Sequence, residues 1–216
     1  MILDHNSKHY RYKWNKMGAS RFNGAYYYSQ EIVRNIIPSV QTNRNWVTVN
    51  VGACPAHSIF FVHNNLNIEL YEWLRNVDDV VLVCGLKDTV EKVSHLGKAI
   101  YLPLSIDVEE VRKYKRPKSE MAGEAFAGRP SKRTMDGVVL PNVVYIENLE
   151  RSVFLHTISR FEYIYAVGRT AIEAKALGCK IKPYDPRFPK VSQWKVLDNK
   201  DAAKILQERL NNIDRI

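Results

Sequence analysis

The sequence is poor in the features that mark several whole classes of protein. Cysteine is scarce: Cys54, Cys84 and Cys179 stand far apart in 216 residues, with no CxxC pair. So sparse and odd a count argues against a disulfide scaffold and a structural zinc site, and it suits a reducing cytoplasm. No apolar run approaches the roughly 20 residues that span a bilayer. The opening MILDHNSKHYRYKWNK lacks the apolar stretch of a signal peptide. The expectation is a cytoplasmic protein without a transmembrane segment. With 10 glycines and 9 prolines the chain is neither collagen-like nor of low complexity, and no repeat recurs at a solenoid period. The P-loop GxxxxGK[ST], the dinucleotide GxGxxG, the GxSxG elbow and HExxH are all absent. Kinase, dehydrogenase, serine hydrolase and zinc protease readings lose their support, and no clustered ligand spacing points to a metal.

What is present is globular: 45% hydrophobic and 25% charged residues, with a net charge of +9. The excess charge is concentrated. Lys8, Arg11, Lys13, Lys16 and Arg21 occur with no acid between them, interleaved with His9, Tyr10, Tyr12 and Trp14. Residues 112–133 hold eight basic residues against Glu120 and Glu124. Such clusters either keep the surface solvated or face an anionic partner. In the aromatic N-terminal arm they could hold phosphates while the rings stack on bases, so nucleic acid is one expected partner.

Short apolar runs alternate with helical patterns. WVTVNV (46–51), SIFFVH (58–63), DVVLVCG (79–85) and AIYLPLS (99–105) read as strands. So do EAFAGR (124–129), NVVYI (142–146), FEYIYAV (161–167) and CKIKPY (179–184). Helices are expected over 29–40 (with Ser29 as cap), 66–76, 87–97, 149–159, 170–178 and 200–213. Within 66–76, Leu66, Leu70, Trp73 and Leu74 share the expected apolar face. The charged run from Val108 to Lys118 is the best linker candidate. The alternation implies an α/β protein of two small Rossmann-like parallel-sheet halves, 1–110 and 111–216, facing a cleft. Ligands of such sheets bind at the carboxyl ends of the strands, which directs attention to the residues just after them.

Residues 165–185, YAVGRTAIEAKALGCKIKPYD, contain such a place. Gly168 permits a sharp turn after a strand, and a helix starts near Thr170. Thr170 and Glu173 have capping-box spacing. The same geometry offers backbone N–H groups and Arg169 to a phosphate, and a carboxylate to sugar hydroxyls. Spacing alone leaves both readings open.

The string VGRTAIEAKALGCKIKPYD resembles the donor-site motif of retaining GT-B glycosyltransferases of the glycogen-synthase-like superfamily, here in an unusually short chain. EAFAGRPSKR (124–133) resembles the first strand of that family's C-terminal domain, AIYLPLSID (99–107) the strand leading out of the N-terminal domain, and RFNGAYYYSQEIV (21–33) its first loop and helix. The resemblance implies a compact GT-B-like fold that binds a nucleotide-activated sugar and passes the sugar to an acceptor without a bound metal or cofactor. It implies that Arg129 and Lys132 contact the diphosphate, that the backbone at Gly168, Arg169 and Thr170 cradles phosphate, and that Glu173 holds the ribose. Gly24 and Asn64 would lie in acceptor or phosphate loops, and His63 would act on the sugar as base or donor. The alternatives are a non-catalytic nucleotide- or nucleic-acid-binding protein on the same fold, and a sugar-transferring DNA modification enzyme.

Overall fold

The computed structural model describes residues 2–4, 24–49, 54–62, 67–128, 140, 142–184 and 189–214. The chain is α/β, with two sheets that each contain four parallel strands. Contacts group it into two compact units. One comprises Met1–Ala19, Ile32–Pro103 and Lys200–Ile216, the other Ser20–Glu31 and Leu104–Asn199. The strand–helix alternation suggests one division at 110/111; the contacts gather segments that are distant in sequence.

The first unit holds a sheet of order β1-β2-β3-β4-β5: Ile2–Asp4, Trp46–Val49, Ser58–Val62, Val81–Cys84 and Lys98–Tyr101. The last four run parallel, whereas β1 joins β2 antiparallel and has no counterpart in the sequence expectations. Every residue of β3 and β4 is buried, which is why IFFV (59–62) and VLVC (81–84) are continuous apolar runs rather than alternating ones. Phe60 and Val62 lie opposite Leu82 and Cys84 on one face and pack with Tyr71, Leu74, Val93 and Leu96. Phe60 meets the rings of Tyr71 and Trp73 edge-on, at 5.7 and 5.9 Å between centroids.

The expected α-helix over 66–76 is instead a 3-10 helix, Ile68–Asn76. Its inward residues explain the difference. Ile68, Tyr71 and Leu74 repeat every three positions, the 3-10 period, and Leu70 is left 57% exposed. Helix α2 (Lys87–Val93) follows β4. The segment after α1 (Gly24–Glu31) also departs from expectation. Ser29 lies inside α1 rather than capping a helix. After Glu31 the chain widens into a π turn, Ile32–Ile36, and closes as a 3-10 turn with Pro38. The face Ile32, Val33, Ile36 and Ile37 is buried as the periodicity implies.

Arg44, 4% exposed, ties this unit together at the amino ends of its strands. It donates to the Asp79 carbonyl at 2.6 Å and pairs with the carboxylates of Asp79 (2.5 Å) and Asp214 (3.3 Å). His57 and Asp79 both have left-handed backbones and pair through Nδ1 at 2.9 Å. The Arg44 hydrogen bond holds the Asp79 carboxyl below its ordinary 3.8. A depressed folded pKa gives stability that is present above 3.8 and lost as pH falls through the lower folded value. Arg44→Met is therefore expected to remove part of the acid-side slope of stability below pH 3.8, read by urea melts at stepped pH. An unchanged slope would show that Arg44 does not set this titration.

The second unit holds a wholly parallel sheet of order β7-β6-β8-β9: Val144–Ile146, Glu124–Ala127, Tyr163–Tyr165 and Lys180–Lys182. Among the described residues its α-helices are α1, α3 (Val108–Arg112), α4 (Arg151–Ile158) and α5 (Gly168–Leu177). The expected linker over 108–118 is not free. Asp107 caps α3 by accepting from the Glu110 N–H at 2.8 Å, and Val111 is fully buried. Glu109 and Glu110 in the first turn suit the helix dipole. The last helix, α6 (Asn199–Asp214), buries Ala202, Ala203, Leu206 and Leu210, and from Lys200 onward it belongs to the first unit. Among the described residues no helix is long and apolar enough to cross a membrane, and no three metal-ligating side chains cluster.

Candidate anion site at the carboxyl edge of the second sheet

From β6 the chain goes to β7 on one side of the sheet and then to β8 on the other. The point where strand order reverses is where open parallel sheets leave a crevice at their carboxyl ends. Gly128 directly follows β6, and Gly168 follows β8 by way of Ala166 and Val167. The two glycines thus follow adjacent strands, paired through Ala125–Ile164 and Phe126–Tyr165.

Helix α5 begins at Gly168, two residues before the sequence suggests. Val167 is its N-cap, and no side chain caps it. Gly168 has φ +62°, a left-handed conformation that costs glycine little, and open space surrounds the position a Cβ would take. Its far end is closed by Gly178 at φ +97°, with the Gly178 and Cys179 N–H groups donating to Lys175 and Ala174 carbonyls at 3.0 and 2.9 Å. Small residues let the helix sit close to the sheet: Ala171, Ala174 and Ala176 are buried.

The capping-box reading of Thr170 and Glu173 is overturned. Thr170 lies in the first turn, and Glu173, a full turn further on, points its carboxylate into an ion-pair chain. Glu173 is 2% exposed. Its Oε1 accepts from Arg169 Nε at 2.6 Å and from Arg151 Nη1 at 2.5 Å. Arg169, 8% exposed, also donates through Nη2 to Glu31 Oε1. Glu31 Oε2 accepts in turn from Asn199 Nδ2, whose Oδ1 accepts from Ser105 Oγ at 2.8 Å. Burial pulls Arg169 toward the neutral form, yet Glu173 and Glu31 outweigh it and hold its pKa above the ordinary value. Two arginines and two glutamates balance in charge, which is the condition for keeping ions out of water. One donor is left over. Arg169 Nη1 is buried and has no hydrogen-bond partner, and a guanidinium donor left in that state is costly.

Arg169 and Glu173 were singled out in the sequence as phosphate and sugar contacts; their pairing was not, because the helix was expected to start at Thr170, although a spacing of four on one helix permits it. Arg151, Glu31, Asn199 and Ser105 were missed, because their partners are distant in sequence. Gly24 opens helix α1. His63, Asn64, Arg129 and Lys132 lie outside the described residues. Elsewhere, His95 pairs with Glu72 at 3.0 Å, and His156 takes contacts from Arg116 and Arg160 at 3.2 and 3.0 Å, all at the surface. Burial pushes the thiols of Cys84 and Cys179 up to about 12, so both act as apolar filling.

No family model matches the sequence, no curated protein matches it, and no solved structure matches the fold.

Proposed function

We propose that the protein is a glycosyltransferase-like nucleotide-sugar-binding protein, with the donor diphosphate seated where α5 opens beside the end of β6. One observation carries the reading. An uncapped ten-residue helix begins in a left-handed glycine turn at the strand-order reversal, with a buried arginine in its first turn that keeps one donor unpartnered. The N–H groups and positive end of the helix favour a phosphate there, and Arg169 adds its unpartnered Nη1 donor. Such a site suits a leaving nucleoside diphosphate, whose charge grows as the glycosidic bond breaks. In this reading Arg129 and Lys132 supply further contacts to the diphosphate, as the family resemblance implies. Glu173 takes a role other than ribose hook: it is the anchor that fixes Arg169 and Arg151.

The test is thermal shift with UDP, ADP, GDP and their sugar conjugates, followed by a hydrolysis and transfer screen with whichever binds. A ligand at one hundred times its dissociation constant should add about 2.7 kcal/mol of stability. Gly168→Val should lose the shift, because a branched side chain strains the left-handed turn by about 1–3 kcal/mol. Binding without turnover would identify a non-catalytic nucleotide-binding protein. If no nucleotide raises the melting temperature, the proposal is wrong.

A further inference from the structure

Among the described residues, the chain passes between its two units at three places: after Glu31, after Pro103 and after Asn199. The second unit fastens all three passages in one buried cluster. Glu31 ends α1 and is followed at once by the π turn, a widening of the helix often found at functional positions. Asn199 (3% exposed) and Ser105 (2%) are bonded to each other, and Asn199 also donates to Glu31. A short parallel ladder runs alongside. The Ile106 N–H donates to Leu197 O at 3.0 Å, the Asn199 N–H to Ile106 O at 3.1 Å, and the Val108 N–H to Asp198 Oδ2 at 3.2 Å. Glu31 therefore has two obligations. One oxygen holds the junction through Asn199, and the other holds Arg169, the arginine in the first turn of α5.

We propose that Glu31 couples occupancy of the α5 anion site to the fastening of this three-way junction. A diphosphate on the α5 turn that takes Nη1 of Arg169, the donor left unpartnered, draws the guanidinium away from Glu31 on Nη2, since both anions compete for its charge. When Arg169 turns to the phosphate, Glu31 loses one charged partner, its carboxylate is held less firmly, and the junction ties at 105–108 and 197–199 loosen. The inference rests on the phosphate reading of the preceding subsection.

Hydrogen exchange on the full chain tests it, with inorganic pyrophosphate as the probe and calorimetry to record binding. Ligand-free Glu31→Gln is expected to exchange roughly fivefold faster at 105–108 and 197–199, about the factor for losing one net hydrogen bond. It should also bind pyrophosphate several-fold more tightly, because the competing anion is gone. Asn199→Ala severs the junction but keeps Glu31 as a competitor for Arg169, so it should show the faster exchange and, because coupling is reciprocal, a smaller gain in affinity than Glu31→Gln; it serves if Glu31→Gln folds poorly. Wild type saturated with pyrophosphate should approach the Glu31→Gln rates. If pyrophosphate binds wild type and the junction keeps its protection, or if both variants exchange as wild type does, the coupling is refuted while the anion site stands. If pyrophosphate does not bind wild type, the anion site itself falls, and the coupling with it.

Discussion

Glu173→Gln is expected to lower stability by about 3–5 kcal/mol, the range for removing one member of a buried ion pair. For a chain of this length that is a fall in melting temperature on the order of 10 °C. The substitution is nearly isosteric, so packing is retained and charge is what is lost. Arg169, 8% exposed, would keep Glu31 alone, and Arg151 would lose its acceptor at 2.5 Å. The comparison is Glu162→Gln, whose partner Lys180 is 63% exposed; solvent screens a pair of that kind, so the loss should be far smaller. A glutamate serving only as a helix cap would tolerate Gln, which can fill the same role. Loss of less than about 1 kcal/mol on urea melts would therefore show that the ion pairs of Glu173 do not hold the fold. Combining Glu173→Gln with Arg169→Met should cost less than the sum of the two, because each removes the other's unpaired charge.

Phe126→Ala is expected to cost about 3–5 kcal/mol by vacating a filled core site. The ring is fully buried in β6 and stands 5.1 Å from the Tyr184 ring and 5.7 Å from that of Tyr145. It also abuts the turn: a Cβ placed on Gly128 would lie 3.3 Å from Phe126 Cε1 and Cζ. Truncation removes the floor beneath Gly128, so nucleoside diphosphate binding should weaken along with stability. Val144→Ala, in the same sheet but 52% exposed, should change stability by less than about 0.5 kcal/mol. Denaturant titrations of the two variants give the comparison, and equal losses would show that burial in β6 is not what holds this sheet.

The sequence was most legible where local pattern and tertiary burial agree. IFFV (59–62) and VLVC (81–84) are apolar throughout because the strands they form are buried on both faces. The strands before Gly128 and Gly168 were also legible, since the apolar runs read there form β6 and β8. Legibility ended where a residue's surroundings come from far away. Glu31 meets Arg169 across 138 residues and Asn199 across 168, and Ser105 meets Asn199 across 94. Nothing local distinguishes those side chains from solvated ones. The spacing of Glu173 left a cap with Thr170 and a ligand contact both open, and the arginines that hold its carboxylate were not read from the sequence. The 3-10 helix over 68–76 was hidden for a related reason: Leu70 satisfies an α-helical face, and only tertiary burial of Tyr71 reveals the tighter winding.

The interleaving of the two units has a consequence for biosynthesis. Residues 20–31 and 104–199 form one unit, with 72 residues of the other spliced between them (32–103). On the ribosome, Glu31 emerges long before Asn199, so the second unit cannot complete its buried ion chain until the strand-rich portion of the first is already outside the exit tunnel. A fragment ending before residue 199 leaves Glu31 without Asn199, and a fragment beginning at 104 leaves Arg169 without Glu31. Neither unit is a heritable cassette that could be shuffled whole by a single crossover in the gene.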